Sequence, residues 1–359
     1  MLNKIVISGV GLFAGGTLSI FQDCLNQLEE SSLSKSYVIE AFVYDASLFP
    51  KYSRIRIKEL KFARTSWLHR LYVEYFWFYS YSKRHNIDLW FSIHDITPRV
   101  RARKRAVYCH NPSPFYKMTQ RELLLDPKLK LFTLFYRYLY GLGIRNNDQV
   151  VVQQGWLARR FISRYKVKNV IVDHPSVAPW KPLETRAPRH AGKRVLFYPT
   201  FPRVFKNIEI LGEVAKALGP SSPFFIVVTV SGDENPYAKY LYRTYGSVEN
   251  LEFCGRLSRE DVYSYYQEAE ALIFPSKLET WGLPISEFAQ TGKPIFVASC
   301  AYAKETVGNY PNARFFNPDR VDELLNLIQS LPQSFKPRPL SQTNVCNDGW
   351  INLVERLLN

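Results

Sequence analysis

Residues 273–294, IFPSKLETWGLPISEFAQTGKP, set two acids, Glu279 and Glu287, eight positions apart around Gly282, Leu283 and Pro284. Carboxylates accept hydrogen bonds from hydroxyl groups, whereas free N–H groups at a helix start, backed by the helix dipole, attract oxyanions. The apolar run 271–274 predicts a buried strand and residues 285–289 an amphipathic helix, with Pro284 fitting its first turn, where a missing N–H costs nothing. Glu279 and Thr280 then fall in a loop and Glu287 in the first helical turn. Such a unit suits a ligand that carries both phosphate and hydroxyl groups.

The whole string, an acid, an aromatic, Gly-Leu-Pro, a second acid and then Gly292-Lys293-Pro294, resembles the E(x)7E signature of the group 1 glycosyltransferases. These are retaining, nucleotide-sugar-dependent enzymes with the GT-B fold. The resemblance implies an α/β chain of two Rossmann-like, doubly wound parallel-sheet domains facing a cleft. It further implies that Glu279 acts on the transferred sugar, that Glu287 holds the ribose, and that Thr280, Gly282 and Leu283 contact the donor. It covers residues 195–317 well and the first part of the chain loosely.

In the same family an arginine and a lysine, about five apart and followed by Gly or Asn, neutralise the donor diphosphate. Lys206-Asn207 fits that pattern, while Arg203 stands only three before the lysine and Phe201 occupies the usual arginine place. A lysine at a helix start opposes the dipole unless an anion is present, which favours a ligand role for Lys206. Gly255 and Leu257 fall where the family's loop meets the base. The chain has no D-x-D sequence, so protein cations are expected in place of a metal, and neither a metal nor a cofactor is expected.

The first half opens with a strand at 4–8, a loop GVGLFAGG and a helix from Thr17, a phosphate or sugar platform in which the resemblance places Gly15 and Gly16 against the donor. Gly9, Gly11 and Ala14 also satisfy a dinucleotide fingerprint. A nicotinamide oxidoreductase is therefore one alternative, although its acidic ribose partner is due about 20 residues on and Asp45 comes late. His110, in His110-Asn111-Pro112, matches the family's histidine aimed at the donor sugar, and His94 is the second candidate. A nucleotide-sugar epimerase would share the architecture and act without an acceptor.

A chain of 359 residues exceeds one usual core, and the expected division is an acceptor-binding domain 1–176, a Pro-rich linker 177–193, a nucleotide-sugar domain 194–345, and a last helix in 346–359 returning to the first domain. Of the net charge of +15, residues 1–180 carry 27 Lys and Arg against 13 Asp and Glu, and the rest 20 against 19. A basic first half points to an anionic partner. No nucleic-acid motif accompanies the charge, so a glycan or lipid-linked acceptor at an anionic membrane face is expected. The aromatic and basic stretch 51–85 suits either a core helix or an interfacial one, and Arg70 and Glu74 interrupt it too soon for a membrane span. Cys24, Cys109, Cys254, Cys300 and Cys346 are scattered and read as reduced thiols, and no secretory leader is evident at Met1, so a cytoplasmic location, free or peripheral at the cytoplasmic membrane face, is expected.

Overall fold

The computed structural model describes residues 3–174, 189–333, 335 and 349–359. Most of the expected linker and Cys346 lie outside them. Thirteen strands form in the described residues: β1 Lys4–Ser8, β2 Val38–Val43, β3 Ile55–Glu59, β4 Leu89–Ser92, β5 Lys104–Cys109, β6 Gln149–Val152, β7 Val170–Val172, β8 Arg194–Tyr198, β9 Phe224–Val228, β10 Leu251–Phe253, β11 Ala271–Phe274, β12 Ile295–Ala298 and β13 Ala313–Phe316. They make two sheets, ordered β3-β2-β1-β4-β5-β6-β7 and β10-β9-β8-β11-β12-β13. Every neighbouring pair is parallel.

In both sheets the strand order reverses beside the first strand of the unit. Ligands of such open parallel sheets bind at the carboxyl ends of the strands flanking that point. In the first sheet these ends lead into the glycine loop after β1 and the loop after β4. In the second they lead into residues 199–207 after β8 and 275–282 after β11.

Two faces of the first sheet are buried, as parallel sheets require. Ile5 and Ile7 face the Gly15–Glu30 helix through Phe21, Leu25 and Leu28, while Val6 faces Val73, Phe78 and Trp90 on the other side. The last helix, Gly349–Leu358, lies on the first of these faces through Trp350, Leu353, Val354 and Leu357. Gln27 accepts from the Trp350 backbone and Asp23 from its indole, both at 3.0 Å.

By contacts the chain divides into Met1–Phe115, Thr133–Ser176 and Val345–Asn359 in one unit, and Tyr116–Phe132 with Val177–Asn344 in the other. Tyr116–Phe132 therefore groups with the second unit rather than with 1–176. Within that unit Asp126 meets Arg203, and Arg121 donates to Tyr240. This region forms two helices, Gln120–Leu125 and Pro127–Gly141. Pro127 cannot donate to the preceding turn, and Asp126 instead accepts from Leu129 N at 3.0 Å.

Edge strands β3 and β13 were not legible in the sequence. Ile55 is buried in one, and Ala313 and Phe316 in the other, so neither has the continuous apolar run of a central strand. The stretch 67–83 is one helical rod, α at Trp67–Tyr72, a π turn at Val73–Trp77, and α again at Phe78–Lys83. Its two faces differ: Val73 and Phe78 are core, whereas Leu68, Tyr72 and Phe76 are exposed.

Candidate functional site

In the second unit the loops after β8 and β11 are tied together. Lys277 N donates to Phe205 O at 2.7 Å, and Ser276 Oγ to the same carbonyl at 3.4 Å. Phe205 and Lys206 belong to a short 3-10 turn, Val204–Lys206. The stitch brings Lys206 Nζ to 2.5 Å from Glu279 Oε1, with both side chains mostly shielded from solvent. Residues 73 apart in sequence thus form one charged pair, because β8 and β11 are neighbours in the sheet.

The far side of the Glu279 loop is fixed by Tyr302, which donates to Ser276 O at 2.7 Å, and by Thr306, which donates to Trp281 O. Gly282 then takes φ 87°, the left-handed region, and starts the Leu283–Ala289 helix. A Cβ there would be strained by that φ and would meet Ile285 and Phe274 at 3.3–3.4 Å.

Glu287, on the same helix, accepts from Tyr266 Oη at 3.0 Å and lies 3.9 Å from Arg259. Burial raises its carboxyl above the ordinary value, with the Tyr266 bond and Arg259 acting against that shift. Lys293 supports this wall from behind. Its Nζ donates to the carbonyls of Gln267 at 2.5 Å and Ala269 at 2.7 Å, at the end of the Arg259–Glu268 helix that carries Tyr266. Burial pulls its ammonium down to about 8.

The other expected donor residues make contacts of their own in the ligand-free chain. Arg203 reaches Asp126 at 3.4 Å and lies over the Phe201 ring at 5.5 Å. Asn207 takes φ 54° and spends its amide on Pro318 O at 2.8 Å, so it shapes the loop. Gly255 follows β10 with its N–H on Val230 O at 3.0 Å, and Leu257 beyond it is half-buried.

In the first unit, Gly15 and Gly16 open the Gly15–Glu30 helix and are exposed. His110 turns one ring nitrogen inward, while its Nδ1 is buried with no hydrogen-bond partner among the described residues. Its Nε2 donates to Ile93 O at 2.6 Å, and burial holds its imidazole below the ordinary range. The organiser of this loop is Asp95, whose backbone has φ 70° and whose Oδ1 accepts from His110 N at 2.6 Å, Asn111 N at 3.0 Å and Tyr140 Oη at 2.6 Å. His94, the second candidate, lines a cavity of about 460 Å³ together with Gly11, Phe13, Arg64, Trp67, Arg70, Asp95 and Tyr136; His110 does not.

Arg70, Glu74 and His94 form a buried cluster there, Glu74 Oε1 lying 2.9 Å from both Arg70 Nε and His94 Nε2. Its sequence signal is the pair of opposite charges four apart on a helix, which reads at first only as an interruption of an apolar run.

The basic run after β4 divides in two. Arg103 and Lys104 donate to the terminal carbonyls of Leu358 and Asn359, at 2.8 and 2.7 Å, and Arg105 pairs with Asp148. Arg99 and Arg101 gather instead over the Tyr79 ring. Among the described residues no helix is long and apolar enough to cross a membrane, and the four described cysteines are free.

Residues 184–338 match the family model described as glycosyl transferases group 1. Among solved structures the chain is similar to the sucrose-phosphate synthase of Thermosynechococcus elongatus, at 17% identity over 91% of this chain and 89% of that one, with a TM-score of 0.65. It is also similar to WaaG, a glycosyltransferase involved in lipopolysaccharide biosynthesis, at 13% identity over 90% and 89%, TM-score 0.63. Anabaena HepE in complex with UDP and glucose is a third, at 15% identity over 91% and 89%, TM-score 0.61. At these identities the likeness establishes the fold, two parallel-sheet α/β units of the GT-B class. No curated protein matches the sequence.

Proposed function

We propose, on the premise that residues 184–338 form a group 1 glycosyl transferase domain, that the chain is a retaining hexosyltransferase. It moves a sugar from a nucleotide diphosphate to a glycan or lipid-linked acceptor in cell-surface polysaccharide synthesis. The observation that carries this reading is the Lys206–Glu279 pair, held at 2.5 Å by the stitch between the loops after β8 and β11.

Glycosyl transfer breaks the bond from the anomeric carbon to the diphosphate oxygen and forms one to an acceptor oxygen. Negative charge grows on the leaving phosphate, and a fixed cation stabilises it more in the transition state than before. Lys206 is that cation, with Arg203 near it, and it exchanges Glu279 for phosphate. Glu279 then turns to the sugar, and Glu287 accepts from ribose hydroxyls. Retention requires attack from the leaving-group face, with the acceptor's hydroxyl proton passing to the departing diphosphate oxygen. The inward-turned His110 is assigned no proton transfer.

The basic first unit and its exposed aromatic helix face support peripheral association with an anionic membrane. The presence of UDP and glucose with HepE makes a uridine diphosphate hexose the first donor to test.

The experiment is a thermal-shift screen of nucleotide sugars followed by product analysis. A ligand that binds only the native state at 100 times its Kd stabilises by about 2.7 kcal/mol. A specific nucleotide sugar that raises the melting temperature and is consumed only with an acceptor supports the reading. No stabilisation across uridine, guanosine, adenosine and thymidine donors overturns it.

A further inference from the structure

The cavity after β1 contains a guanidinium that its own ion pair does not use up. Arg70 is 6% exposed. Its Nε approaches Glu74, but neither terminal nitrogen hydrogen-bonds a described residue. Those two nitrogens lie against Gly11, 2.7 and 2.8 Å from where a Cβ would stand. A guanidinium kept for a purely structural carboxylate pairs through its fork; here the fork lines the cavity. The missing Cβ of Gly11 is what leaves room for it.

Arg64 adds a second guanidinium at the same cavity, stacked 3.3 Å from the Phe13 ring centroid and 4.9 Å from that of Tyr44. The nearby acids are each engaged through one oxygen. Glu74 lies between Arg70 and His94, and Asp95 Oδ1 takes three donors. Phe13, Trp67 and Tyr136 supply flat apolar walls, and about 460 Å³ is room for one sugar-sized group.

We propose that this cavity is an oxyanion subsite that grips a phosphate on the acceptor through the Arg70 fork and Arg64, the adjoining sugar resting on the aromatic walls. The inference rests on the glycosyltransferase reading and names its acceptor as phosphate-bearing. The phosphate belongs either to a soluble sugar phosphate or to a lipid phosphate. The outer face of the same helix presents a shallow apolar groove of Leu68, Leu71, Tyr72, Tyr75, Phe76 and Leu142, the surface a hydrocarbon chain beyond the phosphate would follow.

The test is calorimetric titration of the full chain, saturated with UDP so that Lys206 is occupied, using inorganic phosphate, decyl phosphate and the neutral decyl glucoside. Phosphate binding is expected, weakened about tenfold or more in Arg70→Met, the order of one lost charge-assisted hydrogen bond. If Arg70→Met does not fold, Gly11→Ala, whose Cβ displaces the fork, and the exposed Arg64→Gln decide the matter by the same loss. Decyl phosphate binding tenfold tighter than inorganic phosphate identifies a lipid acceptor; equal binding identifies a soluble one.

Absence of phosphate binding in the wild type, or binding unchanged in all three variants, overturns the proposal. UDP stabilisation is read in parallel. Its absence beside intact phosphate binding would count against the glycosyltransferase reading alone.

Discussion

Lys206 Nζ and Glu279 Oε1, 2.5 Å apart, are each other's counter-ion. A diphosphate carries more charge than one carboxylate, so binding of a donor would exchange the partner of Lys206 and release Glu279 toward the sugar. The two residues then act as a unit. Lys206→Ala is expected to lower kcat by about ten- to thousandfold, as when a charge-stabilising donor is lost. Lys206→Ala/Glu279→Ala together should cost much less than the product of the single effects, because residues in one pair are non-additive. Steady-state kinetics on the four proteins checks this, and strict additivity or a normal turnover for folded Lys206→Ala would remove the pair from the mechanism.

Glu287 offers a pH test. Burial raises its carboxyl from the ordinary 4.5, so in the window just above 4.5 the folded chain holds a proton that the unfolded chain has released. Its burial costs stability above the raised value and relieves that cost as pH falls through it. The proposed ribose recognition would need the carboxylate, so nucleotide affinity should fall with acidification over the same window while the ligand-free protein gains stability. Glu287→Gln should abolish both trends, and Glu287→Ala should raise the donor KM more than it lowers kcat. Affinity and melting temperature measured from pH 4.5 to 7 decide it; parallel pH profiles for wild type and Glu287→Gln would refute the assignment.

How much of this was visible beforehand depends on what each feature needs. The strands of both sheets' centres are continuous apolar runs and were legible. The meeting of Lys206 with Glu279 was not, because it depends on which strands become neighbours; only the resemblance linked them. For His110 a motif fixes the residue's place on a loop and not the carbonyl that one ring nitrogen finds, here that of Ile93. Tyr266, which bonds Glu287, gave no signal at all, since it reaches the site from another helix.

Asp95 yields a stability prediction. Removing its carboxylate in Asp95→Ala leaves His110 N short of its partner and reduces Asn111 N and the Tyr140 hydroxyl to their mutual 3.2 Å bonds, and puts Ala at a φ of 70°. Each unsatisfied buried group costs about 1–3 kcal/mol. Asp95→Asn keeps an acceptor and tolerates the left-handed backbone, so it should lose much less. Urea unfolding of the two variants tests the order, and equal losses would show that the three-donor clasp is not what holds the His110 loop.

The last prediction concerns the membrane. Leu68 is 79% exposed and Phe76 61%, on the outer face of the 67–83 rod, and Tyr138 is 68% exposed on the Pro127–Gly141 helix. Trp67 and Phe135 join these helices at 4.7 Å, so within the first unit the aromatic surface is continuous. Arg103, Lys104 and Arg105 are committed to the carbonyls of Leu358 and Asn359 and to Asp148, which of that run leaves Arg99 and Arg101, gathered with Lys83 around Tyr79. Each basic residue at an anionic surface contributes about 1 kcal/mol, and each large apolar side chain taken from water about 1.5–3 kcal/mol. The apolar face therefore outweighs the charge. Co-sedimentation with vesicles containing phosphatidylglycerol should be reduced only in part by 0.5 M salt and much more by Leu68→Ser/Phe76→Ser, both exposed positions that the fold tolerates. Binding that vanishes in salt but survives the double substitution would reverse the ranking, and no binding at low salt would end the membrane reading.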